Sequence, residues 1–304
     1  MTTGTTAAGA ARTVLAPSPA ARPNRLSAWL AAWLPALPLL VLVAAMLLAP
    51  AVLLILQSFI VGGSLSLDNW VRVLSSPLDQ TAILNSLLLG AVSASISTLV
   101  GTPLAWLISR MLPVRRAGWL ALLNVAANIG GIGLAFAYLA TLGTVGMVTL
   151  ALQGLGTDLV PPRPSSFLGL VLGYQYTNIP LFVLLTIPAM GALRDDWWEA
   201  AQTASATRSQ FWRRIGLPIL SPFIAAGWLL IFTWSIGIYG IAFALAGSGA
   251  VISTPLITLR IGLILQSDLF NTFRASVFAV ILMIIASAAL LAYRTLLRRA
   301  LRWF

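Results

Sequence analysis

Apolar residues dominate six long segments of the chain, and shorter polar stretches separate these segments. Each segment is long enough to cross about 30 Å of hydrocarbon, because a helix rises about 1.5 Å per residue. The pattern therefore predicts an all-α integral membrane protein with six transmembrane helices. The predicted spans lie near residues 34–58, 84–108, 118–141, 167–191, 219–245 and 273–295.

One further apolar stretch lies between the third and fourth spans, within residues 143–166. Its apolar part covers only about ten residues, which is too short to cross a bilayer. We expect it to form a short helix that lies at the membrane interface.

The composition agrees with a protein that folds in lipid. Of the 304 residues, 59% are hydrophobic and 8% are charged, whereas soluble domains carry about 25% charged residues. The chain has no cysteine and no histidine. Disulfides, thiolate chemistry and cysteine-based metal sites are therefore excluded, and the usual base at neutral pH is missing.

All 18 basic residues are arginines, and they are distributed unevenly between the two sides of the predicted bundle. If the N-terminus is cytoplasmic, all but four of them fall on the cytoplasmic side, as the positive-inside rule requires. Both termini are then predicted to be cytoplasmic. This orientation accounts for the net charge of +11 without any nucleic-acid partner. The four arginines predicted to be external are Arg72, Arg163, Arg260 and Arg274.

The ends of the chain are predicted to be cytoplasmic tails. Residues 1–27 are rich in Ala, Thr, Pro and Ser, a composition typical of flexible segments. A cleaved signal peptide is not expected, because the apolar run at 28–56 is too long for one. Residues 297–304 form a basic C-terminal tail.

Uncharged polar and aromatic residues lie inside the predicted spans, whereas no span has a charge near its centre. An amide in lipid needs a protein partner or a water-filled path. Two interpretations stay open for these residues, namely hydrogen bonds between helices and the lining of a solute pathway. Gly130, Gly131 and Gly133 are expected to permit close helix approach or a local break. The candidate pathway residues are Asn124, Asn128, Gln175, Asn178, Trp234 and Tyr239.

A charged amphipathic segment lies in the middle of the chain, on the predicted cytoplasmic side. Asp195 and Asp196 suit the N-terminus of one short helix. A second helix is predicted from Ser209, as a possible N-cap, to Pro218, where the chain should turn into the fifth span. Phe211, Trp212 and Ile215 offer an apolar stripe among arginines. The segment is either an amphipathic hairpin on anionic lipid or a docking knob for a cytoplasmic protein.

A resemblance favours the docking knob. The stretch EAAQTASATRSQFWRRIGLPIL resembles the EAA loop of the binding-protein-dependent ABC importer permeases. Glu-Ala-Ala at 199–201, Ile215 and Leu-Pro at 217–218 fall in that family's register. Ser205 replaces the usual glycine, which serves the turn between the two helices. The residues that the resemblance assigns to ATPase coupling are Glu199, Ala200, Ala201, Ser205, Arg208, Phe211, Arg213, Ile215, Leu217 and Pro218.

Further stretches extend the resemblance to residues 80–296, which would form a MetI-like permease domain after a first helix and external segment at 28–79. ILNSLLLGAVSASISTLVGTPLAWLISR is similar to the start of that domain, and GLPILSPFIAAGWLLIFTWSIGIYG is similar to its span after the loop. YLATLGTVGMVTLALQGLG and FALAGSG look most like permeases for polyamines, ferric iron, thiamine or aminoethylphosphonate.

The resemblance implies a transport subunit without catalytic or metal sites of its own. The chain contains no lysine, so it cannot contain the Gly-x4-Gly-Lys-Ser/Thr phosphate-binding loop. ATP and Mg would therefore bind to a separate ATPase, and this chain would bind no cofactor. The implied partners are two ATPase subunits, a second permease that is the same or a related chain, an extracytoplasmic solute-binding protein and lipid. The implied location is the bacterial inner membrane.

Two other classes of function stay open on the sequence alone. An ion-coupled secondary carrier would act by itself, although such carriers usually contain a buried ionisable residue or an unwound cation site. A membrane anchor for a cytoplasmic complex would move no solute. Transport that requires an ATPase and ATP distinguishes the permease from both.

Overall fold

The computed structural model describes residues 33–156, 161–247, 254–267 and 273–300. The described residues fall into two units, which divide after Val52. The predicted tail at 1–27 and the last four residues of the predicted C-terminal tail lie outside the described residues. The domain boundary expected at residue 80 stays a prediction.

Helices form almost every element of the described chain. A small antiparallel hairpin joins the first two helices, with β1 at Ile60–Val61 and β2 at Ser64–Leu65. The helices, in chain order, are α1 Leu34–Ser58, α2 Asp68–Ser75, α3 Pro77–Ser109, α4 Pro113–Asn128, α5 Gly131–Leu142, α6 Met147–Gly154, α7 Phe167–Met190, α8 Asp195–Thr203, α9 Arg208–Gly237, α10 Gly240–Ala242 with Phe243–Gly247, α11 Ile257–Ser267 and α12 Phe273–Ala300.

Six helical segments are long and apolar enough to cross a membrane, which confirms the predicted number of spans. The first and fourth agree closely with the predicted bounds. The chain is thus a multi-pass membrane protein. The six segments are Leu34–Ser58, Pro77–Ser109, Gly131–Gly154, Phe167–Met190, Arg208–Gly237 and Phe273–Leu296.

The prediction of one continuous third span at 118–141 is wrong. Helix α4 ends at Asn128, and the backbone is extended at Ile129 and Gly130 before α5 begins. Gly131 then has a φ of +68°, a left-handed conformation that glycine adopts without steric cost. The expectation that these glycines permit a local break is therefore confirmed. Helix α6 confirms that a short helix forms within 143–166. Its predicted place at the membrane interface stays a prediction, because α6 lies within the third candidate span, Gly131–Gly154.

The longest helices converge on one buried phenylalanine. Phe182 of α7 is fully buried between α3 and α9. A Cβ atom on Gly101 of α3 would lie 2.5 Å from its ring, and one on Gly227 of α9 would lie 2.9 Å from it. Small residues on both neighbours are what allow this ring to fill the core, as is usual where helices pack closely in lipid.

A buried ion cluster, which we call the Asp79 cluster, joins α3, α11 and α12. The Asp79 carboxylate is fully buried in the first turn of α3. Its Oδ1 accepts hydrogen bonds from Arg260 Nε at 2.9 Å and Nη2 at 2.6 Å, and its Oδ2 accepts one from Arg274 Nη2 at 2.7 Å. Two of the four arginines predicted to be external therefore share one carboxylate.

Candidate functional site

The 195–218 segment folds as two helices with a tight turn between them, as the sequence predicts. Helix α8 ends in a Schellman motif, in which Ala206 N–H donates to Ala201 O and Ser205 N–H donates to Gln202 O, both at 2.9 Å. Ser205 has a φ of +57° and is the only non-glycine residue of the described chain with a positive φ. The left-handed backbone explains why the resemblance leads us to expect glycine at this position.

We expect Ser205→Gly to stabilise the segment by about 1 kcal/mol, because a side chain in the left-handed region costs about 1–2 kcal/mol. Thermal unfolding of the purified protein measures the change. Ala204→Gly is the matched control, since Ala204 precedes Ser205 with a negative φ. An equal gain from both variants would show that the left-handed backbone is not the cause.

The N-cap of the second helix lies two residues before Ser209, the predicted N-cap. The N-cap is Thr207, whose side chain accepts from Gln210 N–H at 3.3 Å, while Gln210 Oε1 accepts from Thr207 N–H at 2.8 Å. This reciprocal pair is a capping box, which satisfies two backbone donors that would otherwise lack partners.

The predicted turn at Pro218 is also wrong, because α9 continues through this residue into the membrane span. A π turn at Trp212–Gly216 directly precedes the proline, and Leu217 N–H donates to Trp212 O. The wider π turn changes the hydrogen-bond register before Pro218. Pro218 therefore lies at the start of a new α-helical segment, where a residue needs no backbone N–H to donate to the preceding turn. The second helix of the 195–218 segment and the fifth span are therefore one continuous helix.

The apolar stripe of Phe211, Trp212 and Ile215 faces the interior of the protein. The docking-knob interpretation expects these side chains to be exposed until a partner binds, and the structure contradicts that expectation. Phe211 is 4% exposed, and its ring lies 5.2 Å from that of Trp198. Trp212 contacts Trp106 of α3 edge-on at 4.9 Å. We call these four residues the aromatic clamp. Trp106 also carries the guanidinium of Arg110 at 4.2 Å above its ring. The clamp fastens both short helices to the end of α3.

The opposite face of the segment is left open, and we call it the outer face. Glu199 lies on it, and within the described chain its carboxylate makes no hydrogen bond or ion pair. Ala201 and Phe211 are buried, and Ile215 is half-buried. The exposed candidates are Glu199, Ala200, Ser205, Arg208, Arg213, Leu217 and Pro218.

A second candidate site is a cavity of about 610 Å³, which we call the break cavity because it adjoins the interruption between α4 and α5. Part of its wall comes from the end of α9, where Trp234 is half exposed. Among the described residues, no acidic or basic side chain lines it. The wall consists of Gly130, Gly131, Thr177, Leu230, Thr233, Trp234, Gly237, Ile238, Gly240 and Ile241.

The candidate pathway amides separate into two pairs. Gln175 accepts from Ser97 Oγ at 2.7 Å, and Asn178 Nδ2 donates to Ser235 Oγ at 2.8 Å; both amides are buried. These contacts join α7 to α3 and α9 and match the interhelical interpretation. Asn124 and Asn128 are exposed on α4, where each Nδ2 donates to a backbone carbonyl four residues earlier.

The aromatic candidates differ as well. Trp234 forms part of the break cavity, whereas Tyr239 stacks on Phe243 with ring centroids 5.3 Å apart. Sequence reasoning missed Thr177, a buried wall residue whose hydroxyl has no partner in the described chain. Its position next to Asn178 in a polar run of α7 was the available signal.

The sequence relatives and the structural neighbours of this chain are transport proteins. No model of a known protein family matches the chain. The molybdenum transport system permease protein ModB of Mycobacterium tuberculosis is 29% identical over 187 residues, which cover 59% of this chain and 68% of that protein. The spermidine/putrescine transport system permease protein PotB of Haemophilus influenzae is 26% identical over 185 residues, 60% of this chain and 64% of that protein.

Solved structures share the fold. A crystal structure of a bacterial ABC transporter that imports the acidic polysaccharide alginate superposes with a TM-score of 0.71 at 20% identity, over 91% of this chain and 96% of that chain. A second structure, of the alginate transporter in complex with an alginate pentasaccharide-bound periplasmic protein, gives a TM-score of 0.69 over 89% and 93%. The chain is related to ABC importer permeases.

The predicted resemblance of the chain to ABC importer permeases is thus confirmed, whereas the coupling role of the EAA-like segment stays a prediction. Its relatives are transport proteins named for different solutes. The outer face and the break cavity are thus the two candidate sites.

Proposed function

We propose that this chain is the permease subunit of an ATP-driven importer in the bacterial inner membrane, with both termini in the cytoplasm. In this proposal two ATPase subunits dock on the outer faces of two permeases. The second permease is a copy of this chain or a related one, and the two together enclose the solute route. An extracytoplasmic solute-binding protein delivers the solute. ATP and Mg bind to the ATPase and not to this chain.

The rigid construction of the 195–218 segment carries the proposal. A hairpin that rests on lipid would bury its apolar face in the membrane, whereas this segment buries Phe211 within the protein and is fixed by a Schellman turn, a capping box and the aromatic clamp. A knob that transmits movement needs all three, since slack in the knob would absorb the displacement. Continuity of the second knob helix with the fifth span supports the same conclusion, because a push on the knob moves the span directly.

The break cavity is the proposed contribution of this chain to the solute route. It lies beside two helix interruptions, and irregular backbone at membrane depth is tolerated where it is buried in protein or lines a cavity. The names of the relatives do not identify the solute of this chain, because ModB is named for molybdenum and PotB for spermidine and putrescine. These solutes differ in the sign of their charge.

Coupling then requires that the ATPase binds the outer face differently in two states of the permease, because a ligand shifts an equilibrium only by its differential affinity. ATP-driven closure of the two ATPases would bring the two knobs together and switch the route from inward-facing to outward-facing. In this proposal the exposed Glu199 supplies a charged contact to the ATPase.

Reconstitution tests the proposed function. The permease is purified in mild detergent with the subunits that accompany it and placed in vesicles, with ATP and Mg enclosed and a periplasmic extract outside. Labelled molybdate, sulfate and spermidine are the first solutes. We expect uptake that requires ATP and the accompanying ATPase. Uptake by the permease alone under an ion gradient would identify a secondary carrier. An absence of uptake with every partner and solute would identify an anchor.

A further inference from the structure

Two consecutive arginines follow the second candidate span. That span ends at Ser109, and α4 begins at Pro113 with Arg115 and Arg116 in its first turn. In the proposed orientation this end of the span is cytoplasmic, so both arginines lie near the level of the lipid headgroups. The cytoplasmic leaflet carries anionic lipids, and basic residues that line pockets at this depth recognise their headgroups.

A groove runs along α4 from the first of these arginines. Arg115, Gly118, Trp119 and Leu122 share one helix face because they are spaced by three, four and seven residues. With Met111 they line a cavity of about 410 Å³, which we call the α4 groove. A Cβ atom on Gly118 would meet no protein atom within 4 Å, and Trp119 and Leu122 are 47% and 58% exposed. The groove is therefore open and apolar, with a cation at one end.

Arg116 faces a second cavity of about 410 Å³, which we call the arginine cavity because Arg110 and Arg194 also line it. Those two arginines have partners, since Arg110 Nη2 donates to Leu193 O at 3.1 Å and Arg194 pairs with Asp196. The Arg116 side chain is half-buried and makes no hydrogen bond or ion pair within the described chain. Removal of a guanidinium from water without a partner costs free energy, which a bound anion would recover.

The two cavities together match the parts of one phospholipid. The side chains of Arg115 and Arg116 begin at the same level of α4, so both can approach a single phosphate. The exposed face continues from Leu122 to Val125, which is 58% exposed. From Arg115 to Val125 the helix rises about 15 Å, which is about the hydrocarbon thickness of one leaflet.

Other ligands fit these two cavities less well. A free phosphate ion would leave the apolar groove empty. A zwitterionic lipid such as phosphatidylcholine would bring a cation close to the arginines, and no acidic side chain of the described chain lines either cavity to receive it. Charge and shape are both complementary to a lipid with a net negative headgroup.

We propose that one anionic phospholipid binds at the start of α4, with its phosphate held by Arg115 and Arg116 and one acyl chain lying in the α4 groove. The inference rests on the proposed function in placing this end of the spans in the cytoplasmic leaflet. The arginine cavity also includes Leu193 and Arg194, so the lipid lies beside the residues that lead into the 195–218 segment.

Native mass spectrometry counts the lipid retained by the permease. The permease, purified with its accompanying subunits and washed free of lipid in mild detergent, is mixed with phosphatidylglycerol, phosphatidylcholine or inorganic phosphate. We expect one phosphatidylglycerol per permease chain, retained at least about tenfold more tightly than phosphatidylcholine. Inorganic phosphate should not displace it. Equal retention of the two lipids, or displacement by inorganic phosphate, would overturn the proposal.

The double variant Arg115→Gln with Arg116→Gln tests the headgroup contacts. We expect it to weaken phosphatidylglycerol retention at least about twentyfold, because each arginine near an anionic lipid contributes about fivefold in affinity. Arg214→Gln is the matched control, since Arg214 is exposed and lines neither cavity. Loss of the accompanying ATPase from the double variant at unchanged lipid retention would assign the two arginines to a protein partner instead.

The variant Gly118→Leu tests the acyl-chain contact. Its side chain fills the groove without meeting another protein atom, so the permease should stay folded, which thermal unfolding in the absence of lipid checks. Displacement of about two CH₂ groups of the lipid should weaken retention about tenfold. Gly133→Leu is the control, because Gly133 of α5 also faces open space and lies outside both cavities. Equal retention in the two variants would show that no acyl chain lies in the groove.

Lipid retention and solute uptake are independent measurements. Retention needs neither ATP nor a solute, so a permease that takes up no solute can still bind the lipid. Conversely, ATP-dependent uptake by a permease that does not distinguish phosphatidylglycerol from phosphatidylcholine would preserve the proposed function and remove only the lipid site.

Discussion

The Asp79→Asn permease is expected to lose about 3–5 kcal/mol of unfolding free energy, because removal of one partner from a buried ion cluster leaves uncompensated charge. The Asp79 side chain is fully buried, and Arg260 and Arg274 are only 17% and 35% exposed. An amide in place of the carboxylate would leave both guanidinium groups without their counterion. Denaturant titration of the purified permease in mild detergent measures the loss.

Two further variants make this result specific to the Asp79 cluster. Asp68→Asn removes an exposed acid from the first turn of α2 and should change stability by no more than about 0.5 kcal/mol. Replacement of all three members, Asp79→Leu with Arg260→Met and Arg274→Met, should be less destabilising than Asp79→Asn alone, since no charge is left unpaired. If Asp79→Asn is as stable as Asp68→Asn, the cluster does not hold α3, α11 and α12 together.

The second large effect is expected at Phe211, the centre of the aromatic clamp. Phe211→Ala should destabilise the 195–218 segment by about 3–5 kcal/mol, the usual cost of this change at a buried site. Because the clamp fastens the segment to α3 and the membrane spans have their own core, the segment should loosen while the spans stay folded. Faster tryptic cleavage at Arg208, Arg213 and Arg214 in the intact permease measures the loosening.

Phe211→Leu and Ser209→Ala provide the controls. Leucine keeps most of the buried volume and should cause a much smaller effect, and Ser209 is exposed on the same helix. ATP-driven uptake should be lost in Phe211→Ala, where the segment loosens, and should be kept in Ser209→Ala, where only an exposed side chain changes. Cleavage in Phe211→Ala at the rate of the unchanged protein would mean that the clamp does not determine the order of the segment.

The sequence predicts the elements that depend on neighbouring residues. Long apolar runs predict six spans because hydrocarbon thickness fixes their length. The two-helix segment follows from helix-forming residues on both sides of the turn at Ser205, and the left-handed backbone of Ser205 agrees with the glycine that the resemblance expects there.

Features that depend on distant residues could not be predicted. The Asp79 cluster joins residues about 180–195 positions apart, and hydropathy gives no sign of such a pairing. Phe211 and Trp212 match an exposed stripe by spacing, yet Trp106 of α3 covers them. The π turn before Pro218 changes the hydrogen-bond register without any marker in the composition, so a proline that usually ends a helix lies within one.

Two glycines illustrate the limit for the candidate route. Gly130 and Gly131 indicate a possible break, but the apolar pattern continues across them and favours an unbroken span. The second interruption, at residues 238–239, is required before the break cavity can form. Only the folded chain brings the two together.

ATP hydrolysis that accompanies the purified permease tests the central claim most directly, because the claim is that the outer face is the docking site for an ATPase. Glu199→Ala changes an exposed side chain that makes no hydrogen bond or ion pair within the described chain, so the permease should stay folded. Tagged permease is isolated from native membranes in mild detergent, and ATP hydrolysis per permease is compared for the unchanged chain, Glu199→Ala and the control Asp68→Asn, which changes another exposed acid. We predict that hydrolysis is present with the unchanged chain and the control and falls at least about tenfold with Glu199→Ala, which corresponds to about 1.4 kcal/mol of docking energy. Equal hydrolysis in all three, or none with the unchanged chain, would contradict the account.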